Sequence, residues 1–397
     1  MSSAERRAER LTAHLSAALP SSSSPSTAAV TARPLAPAGC AAAAPAAAAA
    51  ATTDAPAAVG DNAAGHLTLM AQKRAAFQQN PPPRAAFLQH GSIPFFDIRD
   101  ASEVDAAYKA ELHAAFFDGA GCLGLKRVFA PGVMDRYNAW CEGILLGPGG
   151  TGAANMTHPK QPDKFVINDL LERLSVDDPS LLMELIANPV YNAVMDALLG
   201  FMTIGAITTH WIKPHGARQR SHVDFPLHVG SGKFWEASPA KMMRLTTPYQ
   251  LDHVLPYYSV QAIVASDAMD AVNGSTECVP FSQHIPGLDR RVHEPGFYAS
   301  MEGQFVNTTL GQGDVFIFNR GLCHRGGRNT TGVRRNSCIM QCVWLWGIGQ
   351  HKIDADAILG NLRDSGCASF AALTPEQLAD LTLRLKKPYP IDTTVSN

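Results

Sequence analysis

Gly311-Gln-Gly-Asp-Val-Phe-Ile-Phe-Asn-Arg-Gly-Leu-Cys-His324-Arg-Gly-Gly-Arg-Asn329-Thr-Thr-Gly-Val-Arg334-Arg335-Asn-Ser337-Cys-Ile-Met-Gln341-Cys-Val-Trp344 is the stretch on which the reading of this chain turns. It opens with a Gly-bounded turn, continues as a short apolar strand over Val315 to Phe318, and runs into a loop carrying a histidine. A Gly and Asn cluster then marks a second turn, and the β-branched and soft apolar residues from Ser337 to Trp346 read as a buried strand returning beside the first. Such a hairpin brings the start of its second strand near His324.

The same texture extends upstream. From Ile204 to Trp346 short strands alternate with Gly, Pro and Asn turns, which argues for a β sandwich or barrel. Before it, helices are expected over Gly65 to Phe77, from Asp100 through Tyr108, Leu112 and Phe116 to the Gly119-Ala-Gly121 stop, over Pro131 to Leu145, and over Pro179 to Leu199. Strands are expected at Ile93 to Ile98 and Cys122 to Val128, and a closing helical segment at Asp354 to Lys387. The fold class is therefore mainly β with a helical buttress.

His222-Val-Asp224 supplies the chemistry. Side chains two apart on an extended strand share a face, so this imidazole and carboxylate can grip one ion together. Of the fourteen histidines, only His222 has an aspartate two residues on. With His324 as a third ligand the set is two imidazoles and one carboxylate with open positions, which suits a non-haem ferrous centre that binds a co-substrate and oxygen. His228 falls four residues past Asp224 and is expected beside the ligand set, not in it. Arg335 has Ser337 two positions on, and a guanidinium with a hydroxyl on one face can hold a terminal carboxylate of a dicarboxylic co-substrate. The alternative for the tandem arginines is a solvated pair at a hairpin tip.

In these residues the chain resembles the phytanoyl-CoA dioxygenase-like branch of the Fe(II)/2-oxoglutarate-dependent oxygenases, from about Ile93 to about Trp346. The marks are His222-x-Asp224, the segment Asp267 to His284 with Asn273-Gly274 and Pro280-Phe-Ser282-Gln-His284, the Gly313-Asp314 turn, and His324 followed by Asn329 and the arginines. Phe281 stands where the family has Gly, and Gln283 separates the serine from the histidine. The resemblance implies a double-stranded β-helix core (jelly-roll, cupin-like) at about 204–346 within a domain at 63–350, with 351–397 a C-terminal helical extension. It implies Fe(II) on His222, Asp224 and His324, and 2-oxoglutarate held by Arg335 or, aligning on Gly332, by Arg334, with Ser337, Asn168 and Gln261 as further co-substrate contacts. Ascorbate serves as reductant. Because Asp224 occupies the position that halide-transferring relatives leave empty, the expected reaction is hydroxylation of a small, partly apolar molecule with O2, or a related desaturation or ring closure, with release of succinate and carbon dioxide. Two other readings are a catalytically silent binding module and a cupin-type metal oxygenase that does not use 2-oxoglutarate.

The connection between Asp224 and Tyr257 is long enough for a lid, with Phe225, Trp235 and Met243 as an apolar substrate wall and Arg244, Lys233 or Lys241 for an acidic group. A formal charge of −2 gives no footprint for nucleic acid or an anionic membrane. Eight scattered cysteines read as reduced core thiols, which points to an intracellular, cytoplasmic protein. Residues 1–62 are Ala, Ser and Pro-rich, with too few large apolar groups to offset ordering, so they read as a disordered tail; an organelle transit segment is the alternative, against which Glu5 and Glu9 count. The Ala run from Ala41 is broken by Pro45 and falls short of the about 20 apolar residues that span a bilayer. Nothing in the sequence fixes the oligomeric state.

Overall fold

The computed structural model describes residues 63–87, 92–146, 157–158, 161–224, 259–285, 288, 295–344 and 353–385, all within the unit Asp61–Asn397. The chain starts with α1 (Ala63–Gln79), β1 (Ala86–Phe87) and β2 (Pro94–Phe96). Asp105 caps α2 (Ala106–His113), accepting from the Tyr108 N–H at 2.7 Å, as a short acidic side chain does for an orphan helix donor. One π turn, Ala114–Gly119, leads into β3 (Cys122–Leu125). Then come α3 (Pro131–Leu146), β4 (Thr157–His158), β5 (Gln161–Ile167), α4 (Leu170–Asp177), α5 (Pro179–Ile186), α6 (Pro189–Leu199) and the long strand β6 (Met202–Ile212). The remaining elements are β7 (Ser259–Val264), β8 (Thr276–Cys278), α7 (Pro295–Met301), β9 (Val306–Asn307), β10 (Val315–Asn319), β11 (His324–Gly326), β12 (Arg335–Trp344), α8 (Ala355–Asp364), α9 (Ala368–Ala371) and α10 (Pro375–Leu385).

Three expectations change in detail. The helix expected over 179–199 is two, because Pro189 offers no N–H and disfavours helical backbone at Asn188, which instead caps α6 by accepting from Tyr191 N–H at 2.9 Å. The C-terminal segment is three helices, interrupted where Gly366 takes φ +66°. Strand β5 and helix α4 are additions to the expected elements: a lysine in Gln-Pro-Asp-Lys-Phe-Val-Ile hides the strand's apolar face.

A large sheet of mixed direction runs β1-β2-β3-β10-β7-β12-β6-β5-β4, and a small one runs β11-β8-β9. Among the described pairs only β2 and β3 are parallel. Alternation gives the large sheet two distinct faces. On one, Asn336 meets Asn138 of α3 at 2.9 Å and Cys342 meets the Tyr191 hydroxyl of α6 at 3.2 Å, so helices cover this side. Arg335, Ser337, Ile339 and Gln341 point to the other, where the register aligns them with Ile212, His210 and Thr208 of β6 and with Ile263 and Gln261 of β7. Phe96, Leu112, Phe116, Tyr191 and Phe316 are wholly buried, each such apolar side chain contributing roughly 1.5–3 kcal/mol. All seven described cysteines are buried and free, which agrees with the reading as core thiols. Among the described residues no helix is long and apolar enough to cross a membrane.

The turn before β10 is tightly constrained. Asp314 accepts from Gly311 N–H at 2.9 Å, Arg127 N–H at 2.8 Å and the Lys126 ammonium at 2.7 Å. Gly313 takes φ +81°, and a Cβ there would lie 2.0 Å from the Phe129 carbonyl oxygen. Gly313→Ala is therefore expected to lower stability by at least about 2 kcal/mol in urea unfolding; a variant within about 0.5 kcal/mol of the parent would contradict this account of the turn.

Candidate metal centre

His222 and Asp224 follow the loop that leaves β6, and His324 opens β11. The two histidine segments pair as antiparallel backbone: His222 N–H donates to His324 O and His324 N–H to His222 O, each at 2.9 Å. Gln219 and Gly326 extend the pairing, with Gln219 N–H on Gly326 O and Gly326 N–H on the Gln219 side-chain oxygen, both 2.9 Å. The pairing puts the two imidazoles 4.4 Å apart, centroid to centroid.

Each ring has its outer nitrogen committed. Nδ1 of His222 lies 2.9 Å from Arg220 O, and Nδ1 of His324 lies 2.9 Å from Leu322 O. A carbonyl only accepts, so Nδ1 carries the proton and Nε2 presents a lone pair. Both Nε2 atoms face Asp224, at 3.7 Å from Oδ1 for His222 and 3.7 Å from Oδ2 for His324. One donor atom from each of the three residues lies within 4.8 Å of the others. Burial, then the neighbouring His222, with Asp224 opposing, pulls His324 down to about 4. It is thus neutral at pH 7 and ready to ligate without losing a proton. This donor set fits a ferrous ion.

Two residues that carry no signal in the sequence stand here. Arg320, 1% exposed, brings Nε to 3.9 Å from Asp224 Oδ2, and burial lowers its pKa with Asp224 opposing. Lys164 of β5 is buried, and no hydrogen bond or ion pair of its ammonium is found among the described residues. Burial, opposed by Asp224 and aided by Arg335, pulls Lys164 down to about 7. In the register, Lys164 and Arg335 both pair with Ile212, from β5 and β12 on either side of β6, so the two cations flank one spot on the inner face. A lysine in a short strand ordinarily signals a solvated edge, so only the register reveals it.

The structure separates the tandem arginines. Arg334 turns outward, stacks on Trp211 at 4.7 Å, pairs with Asp267 at 3.3 Å and also pairs with Glu142 of α3. Its charge is already matched by these carboxylates. Arg335 is buried, donates to Ser337 Oγ at 3.1 Å and to Gly274 O at 2.8 Å, and lies 3.2 Å from Met269 Sδ. Its Nε is buried without a hydrogen-bond partner, and no carboxylate of the described residues forms an ion pair with it. Burial, with Asp267 opposing, brings it down to about 10, still cationic at pH 7. An isolated buried guanidinium with an unused N–H fits an incoming carboxylate.

The other expected residues divide. Asn168 ends β5 in an exposed position. Gln261 shares the inner face but pairs with Gln341, six residues along β12 from Arg335 and so roughly 20 Å away along the strand; the structure does not bring it to Arg335. Phe225, Trp235, Met243 and Arg244, with His228, Lys233 and Lys241, lie outside the described residues.

The sequence model of the family described as phytanoyl-CoA dioxygenase matches residues 117–337, which include His222, Asp224, His324, Arg335 and Ser337. No curated protein matches the chain. Among solved structures, the non-heme alpha ketoglutarate dependent epimerase SnoN from nogalamycin biosynthesis is similar at 17% identity and TM-score 0.43, covering 61% of this chain and 82% of that one. EctD from S. alaskensis, with 2-oxoglutarate and 5-hydroxyectoine, is similar at 16% identity and TM-score 0.44, covering 68% and 89%. HygX from Streptomyces hygroscopicus, with nickel, 2-oxoglutarate and hygromycin B bound, is similar at 17% identity and TM-score 0.39, covering 58% and 86%.

Lys164 gives a pH signature in chelator-treated protein. Its folded pKa of about 7 lies below the ordinary 10.5, so between these values the unfolded chain binds a proton that the folded one does not. Stability should then rise with pH across that window, by on the order of 3–5 kcal/mol relative to Lys164→Met. Urea titrations of the two proteins from pH 7 to 10 check this, and parallel curves would refute it.

Proposed function

The chain belongs to the phytanoyl-CoA dioxygenase family, and from that premise we propose that it is a ferrous-iron and 2-oxoglutarate-dependent oxygenase acting on a small organic molecule. The two sheets support reading the core as a double-stranded β-helix. His222, Asp224 and His324 would hold the iron. Iron there would supply oxygen activation coupled to decarboxylation of 2-oxoglutarate to succinate, with ascorbate keeping the metal ferrous.

The observation that carries the reading is Arg335: a buried cation with an unmatched Nε, held in place by Ser337 and the Gly274 carbonyl. A metal oxygenase without a dicarboxylate co-substrate has no use for it, and a silent binding module has no use for the ligand-ready imidazoles. Arg335 and Lys164 bind and orient the far carboxylate, Ser337 fixes the guanidinium's direction, and the apolar side chains of Ile263, Ile339, Phe316 and Phe318 on the same face exclude water. Phe318 lies 4.5 Å from the His324 ring and forms a wall beside the metal. Gln261, whose Oε1 is buried and unmatched, stands at the end of the face away from Arg335 and is assigned to the substrate as a hydrogen-bond acceptor. The retained Asp224 carboxylate favours hydroxylation over halide transfer.

Succinate release with Fe(II), ascorbate and 2-oxoglutarate, over a panel of small molecules, tests the assignment, and His222→Ala should abolish it. Arg335→Met removes a charge-assisted contact of roughly 3 kcal/mol and should raise KM for 2-oxoglutarate about 100-fold, whereas Arg334→Met should leave it within about 2-fold. Equal effects of the two substitutions would reverse the assignment of the arginines.

A further inference from the structure

The short segment bearing His222 is joined to β11 by backbone bonds at His222–His324 and Gln219–Gly326. It meets His324 through an isolated bridge, outside any named strand. Around it stands a cluster of two arginines and two glutamates that the metal reading does not use. Glu277 of β8, buried, lies directly across the ladder from Arg325 of β11, and its Oε2 accepts from Arg325 Nε at 2.5 Å. Its other oxygen, Oε1, accepts from Arg218 Nη2 at 3.1 Å. Arg325 immediately follows His324, and Arg218 precedes His222 by four residues, so one carboxylate ties together the two segments that carry the imidazoles. Glu302 repeats the span, accepting from Arg325 Nη1 at 2.7 Å and Nη2 at 2.9 Å and lying 3.5 Å from Arg218 Nη1. The Arg325 guanidinium also stacks on Phe305, 3.8 Å from the ring centre.

We propose that Glu277 is a positioning residue for the metal centre, clamping the Arg218 and Arg325 arms so that the His222 and His324 imidazoles stand in ligating geometry before any ion arrives. The inference rests on reading His222, Asp224 and His324 as the metal ligands. Glu277 and Arg325 are buried while Arg218 and Glu302 are half-exposed; a buried ion pair adds little net stability, and its use here is to hold geometry. The cluster contains two positive and two negative groups, so it orients the ligands without imposing a net charge on them.

The test uses the full chain and Co(II). Affinity is measured by metal titration, and ligand geometry by the visible absorption of the bound ion. Glu277→Gln and Arg218→Met should each weaken Co(II) binding by about 10-fold or more and shift or broaden its absorption bands, and Arg218→Lys should restore most of both. Asp196→Asn serves as the structural control: Asp196 pairs with the buried Arg384 at 2.8 Å, joining α6 to α10 away from the site, so its loss should lower the melting temperature and leave Co(II) affinity unchanged. Should Glu277→Gln fail to fold, Arg218→Met, at the half-exposed end of the clamp, tests the same contact from its other side. Wild-type affinity and spectrum in the folded variants would overturn the clamp alone. Absence of Co(II) binding by the wild type would overturn the metal reading and the clamp with it.

Discussion

The reciprocal backbone pairing of residues 222 and 324 is the constraint from which the site follows. Two hydrogen bonds of 2.9 Å set a register in which both imidazoles project to one side. The backbone then finishes the task, because the Arg220 and Leu322 carbonyls accept from the Nδ1–H groups and leave the inner nitrogens facing Asp224. Loop residues distant in sequence acquire a defined orientation from main-chain geometry, and side-chain identity matters only after that frame is in place. The same frame explains the neutrality of His324: a ring pressed between Phe318 and a second imidazole has no solvent to support a charge.

The large sheet divides its labour by parity. Along β12, Asn336, Cys338, Met340 and Cys342 belong to the helix-covered face, while Arg335, Ser337, Ile339 and Gln341 belong to the opposite face, with Ile263. Arg334 and Arg335 are chemically identical and adjacent, yet one is a stacked surface ion pair and the other an isolated buried cation. A shift of one residue in the ladder would exchange them.

The convergence of His222, Asp224 and His324 was legible in the sequence because a histidine and an aspartate two apart, and a histidine at a strand end, carry their own geometry. Between the arginines, counting from His324 pointed to Arg335 and aligning on Gly332 to Arg334; their different surroundings come from the register, in which Arg335 pairs with Ile212. Lys164 escaped for a related reason: a lone lysine in a strand has the texture of an exposed edge, and its partner Arg335 lies far away in sequence. Glu277, Arg325 and Arg218 drew no reading from the sequence, because salt-bridge geometry leaves no periodic trace. Helix boundaries moved where proline or a positive-φ glycine interrupted an apolar run, at Pro189 and Gly366, and at Asp100, which caps a separate turn over Ala101–Glu103 ahead of the helix that Asp105 starts.

The solitary guanidinium of Arg335 reaches beyond ligand recognition. Keeping a cation away from water without an anion raises the energy of the folded chain, and the unfolded chain, where the arginine is solvated, bears no such burden. On the proposed reading, a dicarboxylate bound at Arg335 would remove that penalty in the folded form alone and add RT ln(1 + [L]/Kd) to the folding free energy. The stability of the folded chain would then rise with the concentration of the dicarboxylate, with one side chain acting as the gauge.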